Sequence, residues 1–307
     1  MPVASVDESF KELLRRIELN RSRVALASER YNAVKATIEA ALPGKTLRQI
    51  GSFQRKTKIK PVDLSDQLDI DVVVSFGRFY AYATNPTEGV TPDRALNIVR
   101  EGLRWNETYR VMPQEQDHPV IRIEYADGVA IEFVPAYEDL TGQHSHGLSG
   151  PVCYIVGASP HTWVAADYDY DAQIISTLNA VSEDKLVPMI KLVKSYFRNV
   201  SVPLKSFHTE ILVANVVPLL ISDWKVKRYS YGYQHLLAAF LGQVSRIITI
   251  PASLRGSFSP PMDSGLSSTT LLSASAFLAA RSEAAWRLCA TNTTAGWREF
   301  FGQPFPS

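Results

Sequence analysis

Apolar side chains recur at near-helical spacing from Phe10 through Leu13, Leu14, Ile17, Val24, Tyr31, Val34 and Ile38 to Leu42, with charges between them. This pattern predicts one long helix over 7–42. Ser5 or Asp7 can cap its start, and Pro43-Gly44 stops it. The period then shortens. The stretch 46–50, with Leu47 and Ile50, and the β-branched run at 69–76 predict strands, the second of them central and buried. Turn formers fill 80–89, and helical spacing returns at 92–105 through Ala95, Ile98, Val99 and Leu103. Alternating runs follow at 109–112, 120–125 and 129–134. Ala126-Asp127-Gly128, between the last two, signals a hairpin. The stretch 137–172 reads as irregular and aromatic. From Ala172 onward the pattern is helical. An amphipathic helix covers 186–197, with Lys191 and Lys194 on its surface, and another opens at Lys205-Ser206. Helices at 233–248 and 271–290 flank a Ser-, Pro- and Gly-rich loop at 251–270.

Composition narrows the class. Of 307 residues 46% are hydrophobic and 21% charged, as in a soluble globular protein. Lys and Arg total 32 against 31 for Asp and Glu, so charge gives no footprint for a long nucleic-acid partner. A small anionic substrate needs only a local basic patch. Two distant cysteines, Cys153 and Cys289, imply no disulfide framework and fit a reducing cytoplasm. The first ten residues lack a basic region followed by an apolar stretch, so no signal peptide is predicted. No apolar run approaches 18 residues, so no membrane span is predicted either.

The chemistry concentrates around Asp69-Ile70-Asp71. On a strand, residues i and i+2 share a face, so the two carboxylates project together while Ile70 faces the other way. Paired carboxylates repel unless a cation sits between them, and oxygen-only ligands suit Mg²⁺ or Mn²⁺. Taken alone, Asp-x-Asp reads first as a solvated strand end. Upstream, Gly51-Ser52 forms a turn after an apolar lead-in. Glycine lets backbone approach a phosphate, and the Ser hydroxyl and nearby N–H groups can hold its oxygens. Arg55, Lys56, Lys58 and Lys60 follow closely; such a cluster is either a solvated face or, in part, a triphosphate contact. His144, His146, Cys153 and His161 match no compact zinc spacing and read as ordinary loop residues.

Gly51-Ser52, then Arg55 and Thr57, then Asp69-x-Asp71 resemble the nucleotidyltransferase superfamily of the DNA polymerase β type. More narrowly, they resemble the bacterial cGAS/DncV-like nucleotidyltransferases (CD-NTases), cyclic-oligonucleotide synthases of CBASS anti-phage defence. The resemblance implies an α+β polymerase β-like fold. A lobe with a mixed twisted sheet, over 1–170, would carry a long N-terminal spine helix; a helical lobe, over 171–307, would close the nucleotide cleft. Glu132, in a strand ending Val134-Pro135-Ala136, stands where the family's third metal carboxylate lies, most often Asp there. The resemblance further implies two Mg²⁺ ions per site, or Mn²⁺ in their place, on Asp69, Asp71 and Glu132. Gly51 and Ser52 would hold the β- and γ-phosphates. Lys194, two residues before Tyr196, and Ser206 would hold the triphosphate from the second lobe. Tyr137, Tyr196 and Tyr229 are candidates for stacking on bases, though each reads first as a packing residue. Pro260-Pro261-Met262-Asp263 departs from the family pattern, while the tail from Trp297 to Pro306 is similar to the family's ending. The implied substrates are NTPs, ATP among them, and the implied product is a cyclic di- or trinucleotide. A linear oligonucleotide synthase, an RNA-tailing or protein-nucleotidylating enzyme, and an inactive nucleotide-binding module are the competing readings. A regulatory partner protein is in keeping with the family; the sequence identifies none.

Overall fold

In the computed structural model the described residues are 5–61, 67–85, 89–117, 120–139, 152–157, 162–257, 259, 266–303, 305 and 306. They begin with helices α1 (Val6–Ile17) and α2 (Arg21–Ala41), strand β1 (Thr46–Gln49) and a single helical turn, α3 (Gly51–Gln54). Strand β2 (Leu68–Arg78), helices α4 (Phe79–Thr84), α5 (Pro92–Arg104) and α6 (Glu107–Val111), and strands β3 (Gln114–Asp117), β4 (Val120–Glu124) and β5 (Val129–Asp139) follow. After β6 (Val152–Val156) and β7 (Trp163–Ala166) the chain is helical: α7 (Tyr168–Val181), α8 (Leu186–Asn199), α9 (Ser206–Val226), α10 (Tyr233–Ile247), α11 (Ser268–Thr291) and α12 (Thr294–Phe301). The fold is α+β, as the resemblance implied.

The sheet is mixed. Its order is β1-β2-β5-β4-β3, with β6 on β5 and β7 on β6. The two long strands β2 and β5 run parallel at its centre, and the other pairs are antiparallel. Alternation decides what each face meets. Ile70, Val72 and Val74, with Ile131 and Phe133, pack under α2 and α5 in one core. Val73, Val134 and Ala136 face the other way, with Ile50 and Cys153. A second, larger core joins α1 to the helices from α7 onward. There Phe10 sits edge-on against Trp297, Phe301 and Phe305 at 5.1–5.6 Å, so the first helix is locked to the chain's last turns.

Four expectations need correction. The long helix over 7–42 is two. Glu18 is extended at ψ 147°, and Asn20 caps a new start by accepting from the Arg23 N–H. Asn is a strong N-cap, and here it outweighs a continuous apolar period. The two halves consequently serve different cores, α1 the helical one and α2 the sheet. The run at 109–112 is helical rather than extended, because Asn106 caps α6 by accepting from Thr108 N–H. Part of the turn-rich 80–89 stretch is α4. The stretch 137–172 is not irregular where described: β5 continues to Asp139, and β6 and β7 extend the sheet. His144, His146, His161 and Pro260 to Asp263 lie outside the described residues. Cys153 is buried and accepts a bond from Arg48 Nη2 at 3.0 Å.

Candidate active site

Parallel pairing sets Asp71 beside Glu132, and Asp69 beside Ala130 one step back. The alternation that buries Ile70 sends Asp69, Asp71 and Glu132 to the face away from α2 and α5. The structure therefore brings the three predicted carboxylates to one face of two neighbouring strands. Burial pushes the Asp71 carboxyl up, with Lys58 and Arg55 pulling against it. Burial and then the Asp71 charge push up Glu132, with Arg122 opposing. Both carboxylates therefore sit where more positive charge would stabilise them.

Gly51 has a task beside the one its sequence suggests. Its backbone is left-handed at φ +72°, and a Cβ there would lie 1.9 Å from Asp71 Oδ2. The glycine makes room for a carboxylate. Ile50 N–H also donates to the Asp71 carbonyl at 2.9 Å, tying the turn to β2. Gly51→Ala should cost at least about 1–2 kcal/mol for the left-handed backbone alone and displace the Asp71 side chain. Thermal unfolding and metal-dependent turnover should both report it, and an unchanged turnover would refute the role assigned to the contact.

Ser52 lines a cavity of about 330 Å³ together with Lys56, Lys58 and Lys191. Lys58 Nζ also lies 3.5 Å from Asp69 Oδ2. Lys191 pairs with Glu18 at 2.8 Å. This is a basic hollow beside the acids. Ser206 and Lys194 line a separate cavity of about 430 Å³ with Thr209 and Arg198. Ser206 opens α9 but makes no capping bond, and Lys205 takes the N-cap position.

Lys194 is not on the surface. It is buried, donating to Glu210 Oε1 at 3.0 Å and to the Thr57 carbonyl at 3.1 Å. Glu210, fully buried on α9, also accepts from Arg55 Nε and Thr57 Oγ1, each at 2.8 Å. Burial alone would raise the Glu210 carboxyl, but Arg55 and Lys194 outweigh it and hold it at about 2. Arg55 further lies 4.4 Å over the Phe207 ring. The turn carrying Gly51 and Ser52 is thereby fastened to α8 and α9. Sequence reasoning singled out Arg55, Thr57 and Lys194 but missed Glu210, whose place four residues after Ser206 on a helix was the available signal.

Arg122 was missed as well. It stands opposite Glu132 on β4. Its guanidinium bonds Asp69 Oδ1 at 3.0 Å, Glu124 Oε1 at 2.9 Å, Glu132 and Gln67. Of the aromatic candidates, Tyr137 packs with Phe76, Phe79, Tyr82 and Trp163 and accepts from Val90 N–H. Tyr196 is buried and stacked on Phe300. Tyr229 is exposed and lines a third hollow with Trp224 and Trp286.

Whether this set suits a metal can be judged from its donors. All are hard carboxylate oxygens on rigid strands, two are pushed up by burial, and a cationic group already bridges two of them. That chemistry fits Mg²⁺ or Mn²⁺. As they stand, no three acid, His or Cys side chains converge on one ion position among the described residues. Arg122 holds Asp69 and Glu132 on its own two amino groups.

Comparison with known proteins bears on the fold and the family resemblance. Residues 4–147 match the Second Messenger Oligonucleotide or Dinucleotide Synthetase domain. The first half of the chain is thus similar to that synthetase domain, and the whole chain shares the fold of solved CD-NTases. A probable cyclic nucleotide synthase of Bacillus cereus is 25% identical over 192 residues, 55% of each chain. The chain thus spans about half the length of that curated relative. Among solved structures, Bradyrhizobium diazoefficiens CdnG with GTP has a TM-score of 0.69 at 16% identity, covering 99% of this chain and 97% of its own. CdnC of E. coli with ATP has a TM-score of 0.65 at 14% identity, covering 99% of both.

Proposed function

We propose that this chain joins nucleoside triphosphates into a cyclic di- or trinucleotide. The observation that carries the reading is the shared face of Asp69, Asp71 and Glu132, with Gly51 seated against Asp71 and a lysine-lined hollow beside them. In each round a ribose hydroxyl oxygen attacks an α-phosphorus. The bond from that phosphorus to the bridging oxygen of the β-phosphate breaks, and pyrophosphate leaves.

Asp69, Asp71 and Glu132 would hold the divalent ions. When bound, these supply neutralising charge on the entering and leaving oxygens. Glu132 would hold the ion at the attacking hydroxyl and, as the resemblance implies, take its proton. Ser52, Lys56 and Lys58 would meet the β- and γ-phosphates. Ser206 would approach from the helical lobe, and Lys194 would join it only by giving up Glu210. The unpaired cysteines fit a cytoplasmic setting, and no helix among the described residues is long and apolar enough to cross a membrane. A role in anti-phage signalling, under control of a partner protein, follows from the class resemblance.

The test is incubation with all four NTPs, each labelled in turn at the α-phosphate, with Mg²⁺ or Mn²⁺, followed by phosphatase and chromatography. A labelled product that resists phosphatase is expected, because a ring has no terminal phosphate. A labelled product that phosphatase shortens would move the assignment to a linear transferase.

A further inference from the structure

The feature that the nucleotidyl-transfer scheme leaves without a task is Arg122. Its side chain is only 15% exposed, and every acceptor around it belongs to the acid face or its rim. Nη2 meets Asp69 Oδ1 and Gln67, Nη1 meets Glu132, and Nε meets Glu124. Gln67 in turn donates to Glu124 at 2.7 Å, closing a ring of contacts around the guanidinium. Arginine does not lose its proton in a protein, so this cation is permanent.

Occupancy follows from distances. Mg²⁺ binds carboxylate oxygen at about 2.0–2.1 Å. The guanidinium meets Asp69 Oδ1 at hydrogen-bond distance, 3.0 Å, so an ion on that oxygen and on Glu132 would need the space the guanidinium fills. A divalent ion and a guanidinium held side by side there would also repel each other. Charge count points the same way. Asp69, Asp71, Glu124 and Glu132 face Arg122 and Lys58, and Arg55 also draws on Asp71, so the acids carry charge for at most one divalent ion. A second ion calls for the charge of a triphosphate.

We propose that Arg122 is a positioning residue that occupies the Asp69–Glu132 bridge in the nucleotide-free enzyme and is displaced when that bridge takes a divalent ion. Glu124 and Gln67, outside the metal set, keep the displaced arginine tethered at the rim. The guanidinium holds mutually repelling carboxylates together in the empty enzyme and makes full metal loading depend on nucleotide. This inference rests on the metal reading of Asp69, Asp71 and Glu132 given above.

The test is Mn²⁺ titration of the full chain without nucleotide, with free Mn²⁺ read by electron paramagnetic resonance. Arg122→Gln, which cannot bridge as a cation, should bind Mn²⁺ about tenfold or more tighter than wild type, since the competing state is gone. Arg122→Lys keeps the charge and so guards against misfolding, but its single ammonium spans the two carboxylates poorly. It should fall between the two. Adding a non-hydrolysable ATP analogue should tighten Mn²⁺ binding of wild type more than that of Arg122→Gln. Equal or weaker Mn²⁺ binding by both Arg122 variants would overturn the proposal and show a plain strand-to-strand salt bridge. Asp69→Asn with Asp71→Asn separates this from failure of the metal reading itself. Mn²⁺ binding undiminished in that double variant would overturn the metal site, whatever the Arg122 variants do.

Discussion

Replacing Asp69 and Asp71 together by Asn is expected to lower NTP turnover by about a thousandfold or more while leaving the fold intact. Metal neutralisation of developing charge supplies several kcal/mol to such transfers, and each tenfold in rate is about 1.4 kcal/mol. The sharper part of the expectation concerns stability. Burial makes the Asp71 charge costly in the metal-free fold, and Asn keeps the shape that Gly51 accommodates. Asp71→Asn should thus unfold at the same temperature or higher. Asp69 is more exposed, and its loss of Lys58 and Arg122 should cost about 0–1 kcal/mol. Activity and stability moving in opposite directions is what a site kept for chemistry predicts. Turnover with Mg²⁺ and thermal unfolding without it are the two measurements. A double variant that keeps making product would remove the acids from the reaction.

How far the chain could be read before its structure varied with the range of the interaction. The acid face was legible because it rests on strand alternation, which is local: Asp69 and Asp71 share a face whatever surrounds them. The pairing of Glu132 with Asp71 was legible only through resemblance, since register between strands sixty residues apart leaves no local mark. Gly51 was singled out as a phosphate-holding turn, and a second demand on it stayed hidden. Its left-handed φ fits a turn, but the group that forbids a side chain there is a carboxylate twenty residues away. The division of 7–42 into two helices turned on Asn20, a single capping residue inside an otherwise helical period. Strands β6 and β7 are short, and their aromatic and cysteine residues hid a β-branched pattern in Val152-Cys153-Tyr154-Ile155-Val156. Lys194 read as a surface lysine on an amphipathic helix, because the sequence could not reveal that Glu210 waits in the core for its charge. Arg122 was passed over for the same reason: its four acceptors come from three separate segments.

Glu210→Gln should then destabilise the protein by about 3–5 kcal/mol, the cost of leaving a buried charge without its partner. Arg55 and Lys194 would both lose their carboxylate, and each is almost wholly enclosed. Surface ion pairs elsewhere, such as Lys11–Asp7, are exposed on both sides and should matter far less. The loss should extend to function, because that carboxylate takes the bonds of both Arg55 and Thr57 that carry the turn of Gly51 and Ser52 to α9, beside the direct Lys194 bond to Thr57. Acid titration checks the cause. The Glu210 carboxyl is held at about 2 against an ordinary 4.5. A depressed folded-state value contributes stability that is fully present above 4.5 and lost as pH falls toward 2. Wild type should therefore lose stability over that window more steeply than Glu210→Gln, and the two curves should converge at its acid end. Pairing Glu210→Gln with Lys194→Met should recover part of the loss, since one stranded charge is then gone. Parallel acid curves for wild type and Glu210→Gln would mean that the fastening of the turn lies elsewhere in the junction.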